Sequence, residues 1–75
     1  METKYPNCVV PLSGTDGNAV LVFMRVARAL KRYLIDEEGH TPEEAHNKAE
    51  EFKREAKSGA YANVLTTCHR WVTVT

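Results

Sequence analysis

The sequence has no long hydrophobic segment. Its longest uninterrupted apolar run is the six residues from Ala19 to Met24, and Arg25 and Arg28 follow closely. A transmembrane helix needs about 20 apolar residues, and the apolar core of a signal peptide is longer than this run. We therefore expect no membrane span and a cytoplasmic protein.

Cysteine is also scarce, since the chain has only Cys8 and Cys68. Two cysteines are too few for a disulfide scaffold, and their separation does not fit the C-x-x-C spacing of zinc sites. Cys68 and His69 are adjacent on a predicted helix and point about 100° apart, so they form neither a metal site nor a nucleophile and base pair. The other two histidines, His40 and His46, form no H-x-x-x-H pair. We expect no metal and no cofactor.

The chain has no net charge, because ten basic residues balance ten acidic residues. This balance disfavours nucleic acid and anionic lipid as partners. The charges are nevertheless segregated, because the segment from Asp36 to Lys57 holds eight acids against four bases. A basic stripe without acids precedes it, formed by Arg25, Arg28, Lys31 and Arg32. The stripe could contact phosphates of a nucleic acid or an acidic partner. Alternatively, it could lie beside the acidic start of the second helix or simply be solvated, and the zero net charge favours this second interpretation.

The composition, 43% apolar and 27% charged over 75 residues, is typical of one small folded domain. We expect residues 1–6 to be a loose lead-in. β-branched residues predict one strand from Cys8 to Leu12 and a terminal strand from Trp71 to Thr75, with helices between them. The sequence thus predicts an α+β domain of order β-α-α-(α)-β, in which two short terminal strands pack against the helices.

Three helices are predicted between the strands. Helix one runs to Ile35 and ends with Gly39 as its cap. Helix two begins at Thr41, whose side chain caps it, and Glu44 completes a capping box. The segment from Tyr61 to Cys68 predicts a short third helix. The predicted apolar face of helix one includes Val20, Phe23, Met24, Ala27, Leu30 and Leu34.

A polar turn from Ser13 to Asn18 leads into helix one, which starts near Gly17 or Asn18. Its candidate anion-binding residues are Gly14, Thr15, Gly17 and Asn18. Backbone N–H groups at a helix N-terminus favour an anion there. Asp16 is itself an anion at this position, however, and the spacing fits neither the P-loop nor the dinucleotide-binding motif. A purely structural turn and cap is therefore the favoured interpretation.

The terminal strand supplies the predicted partner surface. Val72 and Val74 are expected to face the helices. Trp71 and Thr73 then face the opposite side, where an exposed tryptophan is typical of an interface hot spot. A two-stranded sheet also has free edges, which a second copy of the chain could pair with to form a homodimer. We expect partner contacts at Trp71 and Thr73, with the basic stripe as a second contact region.

A family resemblance is carried by the segments Leu12 to Ala19, Arg25 to Arg32, and Glu55 to Tyr61 continuing to Val72. They resemble small uncharacterised proteins of phages and bacterial prophages that have a G-x-D-G-N-A turn and an E-A-x-S-G-D-Y segment. The resemblance covers most of the chain beyond about Val9. Ala60 stands where the group usually has Asp, and the insert from Asp36 to Thr41 is longer than typical. No activity is known for the group, so the resemblance implies a setting and no catalytic residue.

Two functional classes follow from these patterns. The favoured one is a non-enzymatic binding or interaction module, with a phage or prophage accessory protein as its setting and a protein of unknown identity as its partner. The alternative is a weak nucleic-acid binder that uses the basic stripe. The carboxylates cluster on an exposed helix, where burial does not raise their pKa, so acid–base catalysis has no support and we expect no enzyme.

Overall fold

A computed structural model of the chain describes residues 3–11, 19–58 and 61–75. Its elements are β1 (Tyr5–Val10), α1 (Ala19–Asp36), α2 (Pro42–Lys57), α3 (Tyr61–Trp71) and β2 (Val72–Val74). The two strands form one sheet that packs against the helices. The predicted α+β class and the predicted element order are confirmed.

The two strands pair in parallel, although they come from opposite ends of the chain. The register places Tyr5 beside Val72 and Val10 beside Val74, with an irregularity in β1 between these pairs. Beyond β2, the backbone N–H of Thr75 donates to the carbonyl of Val10 at 3.1 Å. Parallel strands need a long crossover connection, and the three helices lie within it.

A loose lead-in was predicted for residues 1–6, and the start of β1 corrects the described part of it, residues 3–6. The strand begins at Tyr5 rather than at Cys8, and before it the backbone N–H of Lys4 donates to the carbonyl of Arg70 at 2.9 Å. Local propensity could not reveal this strand start, because its hydrogen-bond partner lies at the far end of the chain.

Helix α1 supplies the largest share of the core. The predicted apolar face of this helix is partly wrong, because Val20 and Met24 are about half exposed, whereas Val22 and Val26 are buried. In the first turns of α1 apolar residues occur on every side of the helix, so the sequence pattern does not determine which side is buried. Packing against α2 and the sheet determines it. The buried residues of α1 are Val22, Phe23, Val26, Ala27, Leu30 and Leu34.

The junction between α1 and α2 follows the sequence prediction closely. Gly39 adopts a φ of 71°, a left-handed conformation that favours glycine. At the start of α2, the Thr41 hydroxyl accepts a hydrogen bond from the backbone N–H of Glu44 at 3.1 Å. The Glu44 carboxylate in turn accepts one from the backbone N–H of Thr41 at 3.0 Å, which completes the capping box.

Replacing Thr41 with Ala should destabilise the protein by about 1 kcal/mol, because the first turn of α2 loses its side-chain acceptor. Urea denaturation followed by circular dichroism measures this loss. The Thr41→Ser variant keeps the hydroxyl and is the matched control, so it should retain most of the stability. An equal loss in both variants would show that the threonine methyl group, rather than the cap, carries the effect.

The same cap should make part of the stability depend on pH. Hydrogen bonds from the backbone and then the hydroxyl of Thr41 lower the pKa of the Glu44 carboxyl. A carboxyl whose pKa is lower in the folded state stabilises the protein above its unfolded pKa, and this contribution is lost as the pH falls through the folded value. The cost of Thr41→Ala should therefore shrink in acid. A cost that is unchanged from neutral to acid pH would contradict this coupling.

Candidate functional site

Trp71 lies in the core, and the prediction that it forms an exposed partner surface is wrong. It is the last residue of α3 rather than the first of the terminal strand, and only 1% of it is exposed. Its ring centroid lies 6.2 Å from that of Tyr5 and 5.8 Å from that of Phe52. The Lys4 Nζ covers the ring at 3.9 Å, and the indole N–H donates to the Glu55 carboxylate at 3.2 Å. The alternation expected of a strand fails here because the helix continues through residue 71.

Thr73 is also engaged within the domain. It is partly buried in β2, and its hydroxyl donates to the carbonyl of Pro6 at 2.7 Å. This hydrogen bond joins the two strands across the irregular part of their pairing. The Thr73 hydroxyl therefore stabilises the pairing of the two strands. The predicted partner surface formed by Trp71 and Thr73 is not exposed as a whole.

Glu55 accepts several hydrogen bonds that connect α2 to α3, a role that the sequence analysis did not predict. Its carboxylate accepts hydrogen bonds from the indole of Trp71 and from Nη1 of Arg70, the latter at 2.8 Å. Its backbone carbonyl accepts from Nδ2 of Asn63 at 3.1 Å and from the hydroxyl of Ser58 at 2.7 Å. These contacts tie the end of α2 to α3. The available sequence signal was the position of this acid next to the apolar stripe of α2, since a buried tryptophan N–H requires an acceptor.

The candidate anion-binding turn falls outside the described part of the chain. Its residues Gly14, Thr15, Gly17 and Asn18 lie between the described ranges 3–11 and 19–58. An anion site at this turn therefore stays a prediction.

The basic stripe is unevenly engaged. Arg25 donates through Nη1 to the carbonyl of Pro11 at 3.4 Å. Arg32 Nε lies 3.7 Å from the Asp36 carboxylate, but 85% of the Arg32 side chain is exposed, so this ion pair contributes little. Arg28 is exposed as well. The exposed arginines of the stripe are therefore accessible to a partner. Ion pairing within the domain offsets only part of the positive charge of the stripe.

A groove between α1 and α2 extends the stripe. We call it the α1–α2 groove; it has a volume of about 280 Å³. Its lining residues are Met24, Ala27, Arg28, Lys31, His46, Ala49 and Lys53. The buried alanines, Ala27 and Ala49, leave space between the helices, and longer side chains stand at the sides. Across the groove, the α2 side chains that face Arg28 and Lys31 are His46 and Lys53. The interpretation that the stripe lies beside the acidic start of α2 stays a prediction.

The carboxylate of Glu50 lies beside this groove. The Glu50 Oε1 atom lies 3.6 Å from the Lys53 Nζ and 3.6 Å from the His46 Nε2. These side chains are partly exposed, so water screens both interactions. The groove lining itself contributes three basic side chains, Arg28, Lys31 and Lys53, and no acid among the described residues. A local excess of positive charge thus exists in a chain whose net charge is zero.

An apolar patch adjoins the groove on α1. We define it by Val20, Leu21 and Met24, whose exposed fractions are 51%, 50% and 48%. Val20 and Met24 lie one helical turn apart on the same side, and Met24 also lines the groove. Single exposed apolar residues are ordinary, but contiguous ones bordered by polar residues are typical of contact sites.

Metal ligands and reactive cysteines were the other candidate site groups. Within residues 3–11, 19–58 and 61–75, no group of three His, Cys, Asp or Glu side chains is placed to hold a metal ion. Burial raises the pKa of the Cys68 thiol to about 11 and also raises the pKa of Cys8. A raised pKa leaves a thiol protonated at neutral pH and therefore a weak nucleophile.

No protein-family model, curated protein or solved structure matches the chain. The structure defines a small α+β domain in which the first and last elements pair as parallel strands. One side of α1 is exposed. None of the described helices combines the length and the apolar character that a membrane crossing requires. The likeness to phage and prophage proteins stays a prediction.

Proposed function

We propose that this protein is a non-enzymatic binding module that contacts a protein partner through the exposed side of α1. The observation that carries the proposal is the apolar patch of Val20, Leu21 and Met24 directly beside the cationic α1–α2 groove. Interfaces combine buried apolar anchors with charges that orient the partner. Here both lie along α1, and α2 contributes the other wall of the groove. A cytoplasmic location and a phage or prophage accessory role are the proposed setting.

Site-specific crosslinking tests this proposal. A photoreactive amino acid at Leu21 should form an adduct with one partner in the expressing cell, whereas the same group at the exposed Asn47 on α2 should not. The captured protein, once purified, should bind the wild type directly and bind the Leu21→Glu variant at least about tenfold more weakly, because a charge then replaces an apolar contact. Equal adducts at both positions, or unchanged binding by Leu21→Glu, would overturn the proposal.

The second candidate is a weak nucleic-acid binder led by Arg25, Arg28, Lys31 and Arg32. The observation in its favour is that Lys53 adds a further base beside the stripe. The zero net charge opposes it. It would bind a labelled oligonucleotide with an affinity that falls steeply between about 50 and 200 mM salt, and Arg28→Glu would abolish binding. We expect no such binding by fluorescence anisotropy; a steep salt dependence that Arg28→Glu removes would favour this candidate over the protein-binding module.

A second copy of the chain is the other partner to consider. Within the described residues the sheet has two strands, and Val9 on β1 is 56% exposed. Pairing at a free strand edge would produce a dimer. Sedimentation at increasing protein concentration measures this. A dimer that persists in Leu21→Glu would form at the sheet rather than at α1.

A further inference from the structure

We infer that the segment bound by this protein is a short acidic amphipathic helix that lies along the α1–α2 groove. The inference rests on the proposed function and adds the chemistry of the partner. Arg28, Lys31 and Lys53 would contact its carboxylates, and the apolar patch would contact its apolar residues. Lys53 is thereby assigned to the site, although it lies on α2 and outside the basic stripe.

Charge complementarity determines which sign of charge the bound segment should carry. The groove lining presents three basic side chains from two helices, and the adjacent Glu50 carboxylate is partly exposed and lies 3.6 Å from the Lys53 Nζ. An acidic segment would gain these three contacts, whereas a basic segment would be repelled. The buried alanines in the groove floor allow close approach of apolar groups between the charged walls.

The order of apolar and basic residues along α1 determines the order of apolar and acidic residues in the bound helix. The apolar patch occupies the first turns, and Arg28 and Lys31 lie one to two turns further along. From Val20 to Lys31 the helix rises about 17 Å, the length of about three turns. A bound helix therefore needs apolar residues at one end and acids about two turns away at the other. Grooves between helices commonly accept such a helix, whereas sheet edges accept extended strands.

The size of the site also favours a short segment over a second folded copy. A stable dimer buries about 800 Å² on each partner. The apolar patch consists of three side chains that are each only half exposed, and the groove is small. A short peptide of modest affinity matches this area better than a whole protein surface does.

A synthetic helical peptide tests the inference directly. The probe has about 14 residues, with leucines at positions i, i+3 and i+4 and glutamates at i+7, i+8 and i+11, so that both groups share one helix face. Its titration into the protein is followed by two-dimensional NMR of the backbone amides. We expect shifts of the amides of Met24, Arg28, Ala49 and Lys53. A scrambled peptide of the same composition should cause no localised shifts.

Two neighbouring residues of α2 provide a matched pair of variants. Lys53→Glu should weaken peptide binding at least about tenfold, because an attractive contact becomes repulsive. Arg54→Glu makes the same charge change one residue away, at an exposed position outside the groove lining, and should change binding less than about twofold. Glu50→Gln should strengthen binding about two- to fivefold, because it removes a carboxylate that pairs with Lys53.

The outcomes separate this inference from the proposed function. Equal losses in Lys53→Glu and Arg54→Glu would reveal general charge attraction and overturn the inference. So would the absence of peptide binding up to about 1 mM, which corresponds to a binding free energy near −4 kcal/mol. If the crosslink at Leu21 still captures a partner in that case, the proposed function stands and only the acidic helix is wrong. Failure of both experiments would overturn both.

Discussion

Trp71→Ala should lower the free energy of unfolding by about 3 to 5 kcal/mol, the cost typical of removing a large buried aromatic side chain. Trp71 packs between Tyr5 and Phe52, so its removal opens a cavity where the first strand, α2 and α3 meet. A 75-residue domain has a total stability of about 4 to 11 kcal/mol, so this variant should lose about a quarter or more of its stability. Urea denaturation followed by far-ultraviolet circular dichroism measures the loss.

Trp71→Phe separates the packing of the ring from its hydrogen bond. Phenylalanine keeps much of the apolar contact but leaves the Glu55 carboxylate without the indole donor, so we expect a smaller loss of about 1 to 3 kcal/mol. A well-folded Trp71→Ala protein that loses less than about 1 kcal/mol would contradict a buried tryptophan. Because Trp71→Ala should strongly destabilise the domain, a loss of binding in that variant would not by itself reveal a contact at residue 71.

Leu30→Ala should cost about 2 to 5 kcal/mol, whereas Leu21→Ala should cost less than about 0.5 kcal/mol. Both leucines lie on α1 and both substitutions remove the same atoms, so differences in helix propensity cancel. Leu30 is completely buried against the other elements, and Leu21 is half exposed in the apolar patch. The same urea denaturation of the two variants measures the difference directly.

Similar losses at the two leucines would contradict the orientation of α1. If both substitutions cost several kcal/mol, the apolar patch would be part of the core. The proposed binding surface would then not exist. With the expected result, substitutions in the patch can be used to test binding without unfolding the protein. The opposite sides of α1 would then have separate roles, one in the core and one in recognition.

Local sequence signals predicted the helix termini between α1 and α2. Gly39 takes a backbone conformation that glycine adopts readily, and Thr41 with Glu44 forms a capping box within four consecutive residues. Such contacts depend only on neighbours in the chain. The order of strands and helices was predictable for the same reason, since propensity and apolar periodicity act over short segments.

The buried side of α1 and the position of Trp71 depended on contacts that are distant in the sequence. Apolar residues surround the start of α1, so periodicity alone misplaced Val20 and Met24. Trp71 sits at the boundary between α3 and β2, where a shift of one residue changes the side to which the chain points its ring. Glu55 and Phe52 settle its position, because the first accepts the indole N–H and the second packs on the ring.

The sequence by itself determined the composition of this domain, its element order and the caps of α2, because each of these depends on residues close together in the chain. The tertiary structure decided the parallel pairing of β1 with β2, the ordering of Thr3 to Pro6 against the end of the chain, and the burial of Trp71. It also decided the α1–α2 groove, since Arg28 and Lys53 belong to different helices and share one surface only after those helices pack. Packing brings together residues that no local pattern relates.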